Sequence, residues 1–156
     1  LFALDNIWDG IGAVLFNHPE MRYMIGKVTI YPGYNEQARE LIYAYLDRYH
    51  KGEQGLIEPY HPLLSQPLTH SPFEGEDKQE NYHILQHAVR EQGTVIPPIF
   101  TAYLNLTNDL QFFGNAINDE FSDVLESGIM VDLETVYPEK KERYINSYIK
   151  WLNSIE

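Results

Sequence analysis

Cysteine is absent from the 156-residue chain, so disulfides and thiolate metal sites are excluded and a reducing, cytoplasmic setting is expected. No apolar run approaches the roughly 20 residues that a bilayer-spanning helix needs, and no leader-peptide pattern is visible. Cations are scarce: 11 Lys and Arg stand against 23 Asp and Glu, a formal net charge of −12. Such a chain repels nucleic acid and anionic lipid at long range, and no nucleic-acid partner is expected. The shortage is uneven. Between Arg90 and Lys140 there is no Lys or Arg at all, while Glu91, Asp109, Asp119, Glu120, Asp123, Glu126, Asp132, Glu134 and Glu139 fall in that window. It is either a solvated acidic face or a surface that draws in an amine or a metal ion. A Ser nucleophile elbow, a Walker loop and an HExxH zinc signature are missing too.

What is present has an ordinary globular balance, 44% hydrophobic and 13% aromatic, and residues 1–156 read as a single domain. Leu1 falls inside an amphipathic pattern, as in a piece of a longer chain. "FALDNIWDGIGAVLF" places Leu4, Ile7, Trp8, Ile11 and Leu15 at helical spacing. The apolar period runs through "GIG", which therefore reads as helix with glycines allowing close packing, not as a phosphate loop. "RYMIGKVTIY", residues 22–31, is apolar on both faces and suits a strand covered on both sides.

After the "PGYN" break, Ala38, Leu41, Ile42, Tyr45, Leu46 and Tyr49 form one helical stripe. Asn35 is its expected N-cap, Glu36 sits in its first turn, and Arg48, His50 and Lys51 sit at the dipole's negative end before Gly52. Residues 53–75 are a proline-rich loop, with Pro59, Pro62, Pro67 and Pro72 breaking regular structure. A helix over 77–92 and a proline-started helix over 97–107 follow. Strands over 110–117 and 128–133 are expected as an antiparallel hairpin around the acidic loop "NDEFSDVLES". A last helix turns Ile145, Tyr148, Ile149 and Leu152 inward. This order indicates a mixed α/β or α+β layer fold.

Three constellations carry possible chemistry. His83 and His87, with Glu80 and Glu91, make a metal-like i, i+4 stripe, but Ile84, Leu85, Ala88 and Val89 mark the core face and turn both imidazoles to water. Asp119, Glu120, Asp123 and Glu126 lack the glycine and terminal glutamate of an EF-hand, which favours a polar turn. No metal is therefore expected. The Tyr31–Asn35 turn joins a strand to a helix N-terminus, where free N–H groups suit a phosphate or a carbonyl; a plain tight turn is the other reading.

The motifs "LFALDNIWDGIGAVL", "YMIGKVTIYPGYN", "PYHPL", "IPPIFTAYLNL", "FFGNAINDEF" and "ERYI" occur here in that order. In this the chain resembles the GNAT-like N-acyltransferases of aminolipid synthesis, makers of ornithine and glycine lipids often labelled hemolysins, and most closely their Bacteroidetes branch. The resemblance implies a GNAT-like mixed sheet with flanking helices, with this chain as the C-terminal part of the module. Residues 22–31 would be the fifth strand, and the catalytic acidic region and phosphate-binding loop would lie upstream. It implies an acyl-carrier-protein or coenzyme A thioester as donor and an amino acid as acceptor. Tyr34 and Asn35 would lie near the donor's arm, and Tyr43, one place beyond the family's usual tyrosine, would be the general acid.

Family members often read Leu-Arg-Leu and Gly-Glu-Pro where this chain has Leu104-Asn105-Leu106 and Gly114-Asn115-Ala116. The "IPPIFTAYLNL" helix would support the hairpin and line a route for the acyl chain, whereas its composition alone reads as core. Peripheral contact with the inner membrane and self-association through exposed sheet edges complete the expectation. The rivals are a non-catalytic binding module and a membrane-lytic protein, the latter lacking a long apolar segment or basic amphipathic helix.

Overall fold

The computed structural model describes residues 2–64, 66 and 68–155, with side chains from residue 6 onward. Leu1, Pro67 and the side chain of Leu4, named above, lie outside the described residues. Eight elements run in the order α1 (Phe2–Asn17), β1 (Tyr23–Ile30), α2 (Glu36–Tyr49), α3 (Lys78–Glu91), α4 (Pro98–Leu104), β2 (Gln111–Asn118), β3 (Val124–Asp132) and α5 (Pro138–Ile155). The strands form one antiparallel sheet in the order β1-β3-β2. The α+β class is the one expected.

α2 forms where its stripe predicts. Asn35 caps it, its side-chain oxygen accepting from the Ala38 N–H at 2.9 Å, and Ala38, Leu41, Ile42, Tyr45 and Leu46 are buried. With Val28, Ile30, Leu125, Ile129 and Val131 they make the main core on one face of the sheet. α3 closes this core with Leu85 and Val89. Phe100, fully buried, roots α4 in the same cluster, so "IPPIFTAYLNL" is a core helix with Phe100 turned inward. It is shorter than expected, ending at Leu104 with Asn105 as its cap.

Four expectations are corrected. β1 is covered on one face only: Ile25 and Tyr31 are 64% and 65% exposed, because no described helix or strand packs over that side of them. The hairpin's second strand begins at Val124, not Gly128. Residues 124–127 belong to the ladder because Val124, Leu125 and Ser127 are buried, and Glu126 hides that alternation by pointing at Lys27. The true connection is the 3-10 turn Asp119–Phe121 followed by Ser122 and Asp123, both in left-handed backbone with φ 58° and 54°. Lastly, Ile7 is exposed although it shares the helical stripe, since α5 meets α1 along Trp8, Gly12 and Phe16 instead.

Gly12 explains that seam. A Cβ there would lie 2.5 Å from the Tyr144 carbonyl oxygen, so glycine is what lets α1 and α5 touch. The contact is sealed by Trp8 stacked on Tyr144 at 5.9 Å and by Phe16 edge-on to Tyr148 at 5.5 Å. α5 has no fully buried residue; its inward Ile145, Tyr148, Ile149 and Leu152 are half-covered.

Candidate functional site

Alternation along the strands separates a packed face from an open one. Val28 and Ser127 point to α2, so their neighbours Lys27, Glu126 and Gly128 point the other way. Over this second face lies a cavity of about 440 Å³, bounded by β1, the β2–β3 hairpin and loop residues 57–61. That loop is fixed along the outer edge of β2 by backbone hydrogen bonds. Ile117 N–H donates to the His61 carbonyl at 3.0 Å and Leu63 N–H to the Asn115 carbonyl at 2.8 Å. Further back, Gly52 N–H donates to Phe112 at 2.8 Å. The proline-rich stretch thus becomes a wall.

The floor is open because of glycine. Gly114, at φ +87° in a β-bulge, has nothing within 4 Å of where a Cβ would stand, and a Cβ on Gly128 would meet only Phe113 at 3.7 Å and the Gly114 carbonyl at 4.0 Å. Above it, Lys27 Nζ donates to Glu126 Oε2 at 2.7 Å, and Asn118 Nδ2 donates to Glu126 Oε1 at 3.1 Å. The lysine is 63% exposed and the glutamate only 13%. Burial raises the Glu126 pKa, but the bonds from Lys27 and Asn118 and the lysine's charge outweigh it and hold the carboxylate below its ordinary value. Glu58, Asp119 and Glu120 ring the mouth, while Ile25, Phe113, Ile117 and Tyr60 supply apolar wall. The site can therefore hold both signs of charge beside a hydrocarbon group.

A second cavity, about 480 Å³, lies between α1, α5 and the start of β1 and is mostly apolar, with Trp8, Ile11, Leu15, Met24 and Ile145 among its lining. Arg22 stands at its edge, paired with Asp132 at 3.1 Å.

The residues singled out from the sequence do not gather at either cavity. Tyr34 Oη donates to the Val95 carbonyl at 2.8 Å, and Asn35 Nδ2 to the Gln92 carbonyl at 3.3 Å. Together they dock the β1–α2 turn on the α3–α4 connection, and burial raises the Tyr34 pKa. Tyr43 lies behind the sheet beside Ser127, whose hydroxyl instead donates to Asn115 Oδ1 at 2.7 Å. Its own hydroxyl is buried without a hydrogen-bond partner among the described residues, and burial pushes its pKa up to about 12. Its hydroxyl therefore stays protonated, and the sheet separates it from the Lys27–Glu126 cavity.

His83 and His87 face water on α3, His87 beside Glu91 at 3.5 Å, and no cluster of potential metal ligands occurs among the described residues. Of the acidic quartet, Glu126 leaves the loop for the strand. His50, expected among the cations at the dipole's negative end of α2, is buried against the Leu110 carbonyl at 3.0 Å. Lys27, His61 and Glu126 were not grouped by sequence reasoning. The available signal was a lone lysine in an otherwise apolar strand, a position that demands a partner.

Among proteins of assigned function, the chain is similar to two of the same name. It is 37% identical over 153 residues to the "Glycine N(alpha)-acyltransferase" of Bacteroides thetaiotaomicron, and 38% identical over 153 residues to that of Phocaeicola vulgatus. Each match takes in 96% of this chain but 45% and 47% of the respective relative, so the chain spans about half the length of the proteins it matches. No family model matches the chain, and no solved structure matches it. What identifies the chain is therefore its similarity, along nearly all its length, to part of two proteins named as glycine N-acyltransferases.

Proposed function

We propose that the chain is part of an N-acyltransferase that moves a fatty acyl group from an acyl-carrier-protein or coenzyme A thioester to the amine of an amino acid, as a step of aminolipid synthesis. The similarity to two glycine N-acyltransferases along 96% of the chain carries this reading. In such a transfer the ammonium first gives a proton to a base. The free amine then attacks the thioester carbonyl and the C–N bond forms; the nitrogen gives up its second proton as the C–S bond breaks, and the leaving thiolate takes up a proton. Hydrogen-bond donors at the carbonyl oxygen lower the barrier by stabilising the oxyanion between these events.

The sheet-face cavity supports the reading, because it sets an ion pair beside apolar wall where an amino acid and an acyl chain would meet. The Tyr34–Asn35 turn is the proposed neighbour of the donor's arm; Tyr43 keeps its proton far above neutral pH, but it is packed on the other side of the sheet, so an acid role for it would need the leaving thiolate on that side and not in this cavity.

The same reading places the protein in the cytoplasm, peripherally at the inner membrane. No helix is long and apolar enough to cross a membrane among the described residues. Against expectation, α5 is a basic amphipathic helix, with Lys140, Lys141, Arg143 and Lys150 against Glu139 and Glu142 in a strongly acidic chain. Its exposed Trp151, stacked on Tyr148, which itself meets Phe16 edge-on, is the surface proposed to rest on lipid.

The test is acyl transfer from a long-chain acyl thioester to glycine and to ornithine, using this chain and the full-length product of its native gene. N-acylated amino acid from the full-length protein is the expected result. No product from either, with both folded, would overturn the proposal in favour of a binding module.

A further inference from the structure

We infer that the cavity over the sheet's open face holds the amino acid acceptor as a zwitterion, its carboxylate on Lys27 and its ammonium against Glu126; this rests on the acyltransferase reading above. The argument begins with the ion pair. Lys27 has three N–H donors and gives one to Glu126 Oε2, leaving two for a ligand at a side chain 63% exposed. Glu126 is held in place from two sides, by Lys27 at 2.7 Å and Asn118 at 3.1 Å, and it stays ionised because of them. An ordered ion pair lining a cavity is complementary to one kind of small ligand, an opposed pair of charges of similar spacing.

Alternatives of one sign fit worse. A diamine would find Glu126, Glu58 and Glu120 but would bring its second charge against the lysine. A free fatty acid would find Lys27 but would carry its carboxylate past the acidic mouth. An amino acid satisfies both, and the acidic rim draws its ammonium inward.

Size agrees with two substrates meeting here. About 440 Å³ exceeds what a small amino acid fills, and the remainder is bounded by Ile25, Phe113, Ile117 and Tyr60, which suit the first carbons of an acyl chain. The glycine floor matters for the same reason: Gly114 and Gly128 put no side chain where the acceptor would lie. Lys27 and Glu126 are thus positioning and specificity residues, and the geometry gives them no step in the bond-making itself.

The experiment uses the full-length protein, its Lys27→Met, Lys27→Arg and Glu126→Gln variants, and two acceptors, glycine and glycinamide, which lacks the carboxylate. Glycine binding is also followed by NMR without any acyl donor. Lys27→Met is expected to raise the glycine KM about tenfold or more, the loss of one charge-assisted hydrogen bond. It should leave the thioester KM within about twofold and erase the preference for glycine over glycinamide, while Lys27→Arg restores most of that preference. Glu126→Gln, which keeps the shape, should raise the KM of both acceptors.

If Lys27→Met is folded and keeps wild-type selectivity between glycine and glycinamide, the assignment is wrong even though the acyltransferase stands. If no variant or wild type transfers acyl groups, yet glycine binds and Lys27→Met abolishes binding, the site stands and the acyltransferase reading falls. Should Lys27→Met fail to fold, the Lys27→Arg and Glu126→Gln selectivities decide: unchanged KM values in both would overturn the assignment.

Discussion

Replacing Gly12 by alanine should destabilise the protein, while the same change at Gly10, two residues away on the same helix, should stabilise it. Both glycines lie within α1, so both substitutions gain roughly the same helix propensity, about 1 kcal/mol. What differs is space. A Cβ at Gly10 meets nothing within 4 Å, but one at Gly12 would lie 2.5 Å from the Tyr144 carbonyl oxygen and 2.7 Å from its carbon. Backbone atoms of a helix cannot swing aside, so α1 and α5 must separate by about 1 Å to restore normal contact. A gap of that size forfeits a quarter to a half of the dispersion well along the Trp8–Tyr144 and Phe16–Tyr148 contacts.

Overpacking of this kind costs about 1–3 kcal/mol, which leaves Gly12→Ala less stable by up to about 2 kcal/mol after the helix gain. At this size of domain that is a fall of up to about 8 °C in Tm, against a rise of about 2–4 °C for Gly10→Ala. Thermal melts and urea titrations of both variants, with the urea slope checked for constancy, measure the difference. Equal stability for the two would refute the close-approach argument, because the propensity gain cancels between them and only the steric cost remains.

Other outcomes follow from single buried groups. Burial, helped by the Lys78 charge and opposed by the bond to Leu110, lowers the His50 pKa from 6.5 to about 4. The unfolded chain then takes up a proton near pH 6.5 that the folded one refuses, so stability is full above that pH and falls as pH drops towards 4, by about 2 kcal/mol between pH 6.5 and 5. Urea midpoints should show this acid slope reduced in His50→Gln by about that amount, and an identical slope would be the contrary result. Tyr43→Phe removes a buried hydroxyl without a partner and should be neutral or stabilise by up to about 1 kcal/mol. A loss of acyl transfer in that variant would then report chemistry, and a clear loss of stability would show that Ser127 does bond it. Phe100→Ala should cost about 3–5 kcal/mol in a denaturant titration, since the ring is fully buried. Trp151→Glu should release the full-length protein from anionic vesicles in a sedimentation assay; unchanged binding would place the lipid contact elsewhere.

The parts of the fold legible in the sequence were those whose packing partner does not matter. α2 announces itself through its stripe, its Asn35 cap and the Arg48 end, all local to 15 residues. α3 is equally plain, with Asp77 capping it through the Glu80 N–H. Where the partner decides, reading failed in predictable ways. Ile7 belongs to the α1 stripe by period, yet the glycine contact at Gly12 turns the helix so that Trp8 goes in and Ile7 out. Glu126 looks like one more loop acid beside Asp119, Glu120 and Asp123. Only its registry opposite Thr29, next to Lys27, makes it a strand residue with a job for its charge. His50 looks like a dipole-favoured cation in a basic run, and the docking of Gly52 on β2 buries it as a neutral group instead.

The candidate site was less legible than the fold for a related reason. Its two central charges are 99 residues apart in the chain and meet only because β3 lies between β1 and β2. Had the strands followed chain order, β1 would adjoin β2, and β2 carries no charged residue to answer Lys27. Central placement of β3 sets Glu126 diagonally beside Lys27, lets Asn118 reach it from the other side, and leaves glycine at the position opposite the lysine. One topological choice therefore makes the ion pair, its anchor and the space above it together. The same choice puts β1 at the sheet's edge, where Ile25 and Tyr31 stay uncovered on the cavity's side. That the open face and the ordered ion pair coincide is the physical reason to look for the acceptor there and not at the fully packed Tyr43.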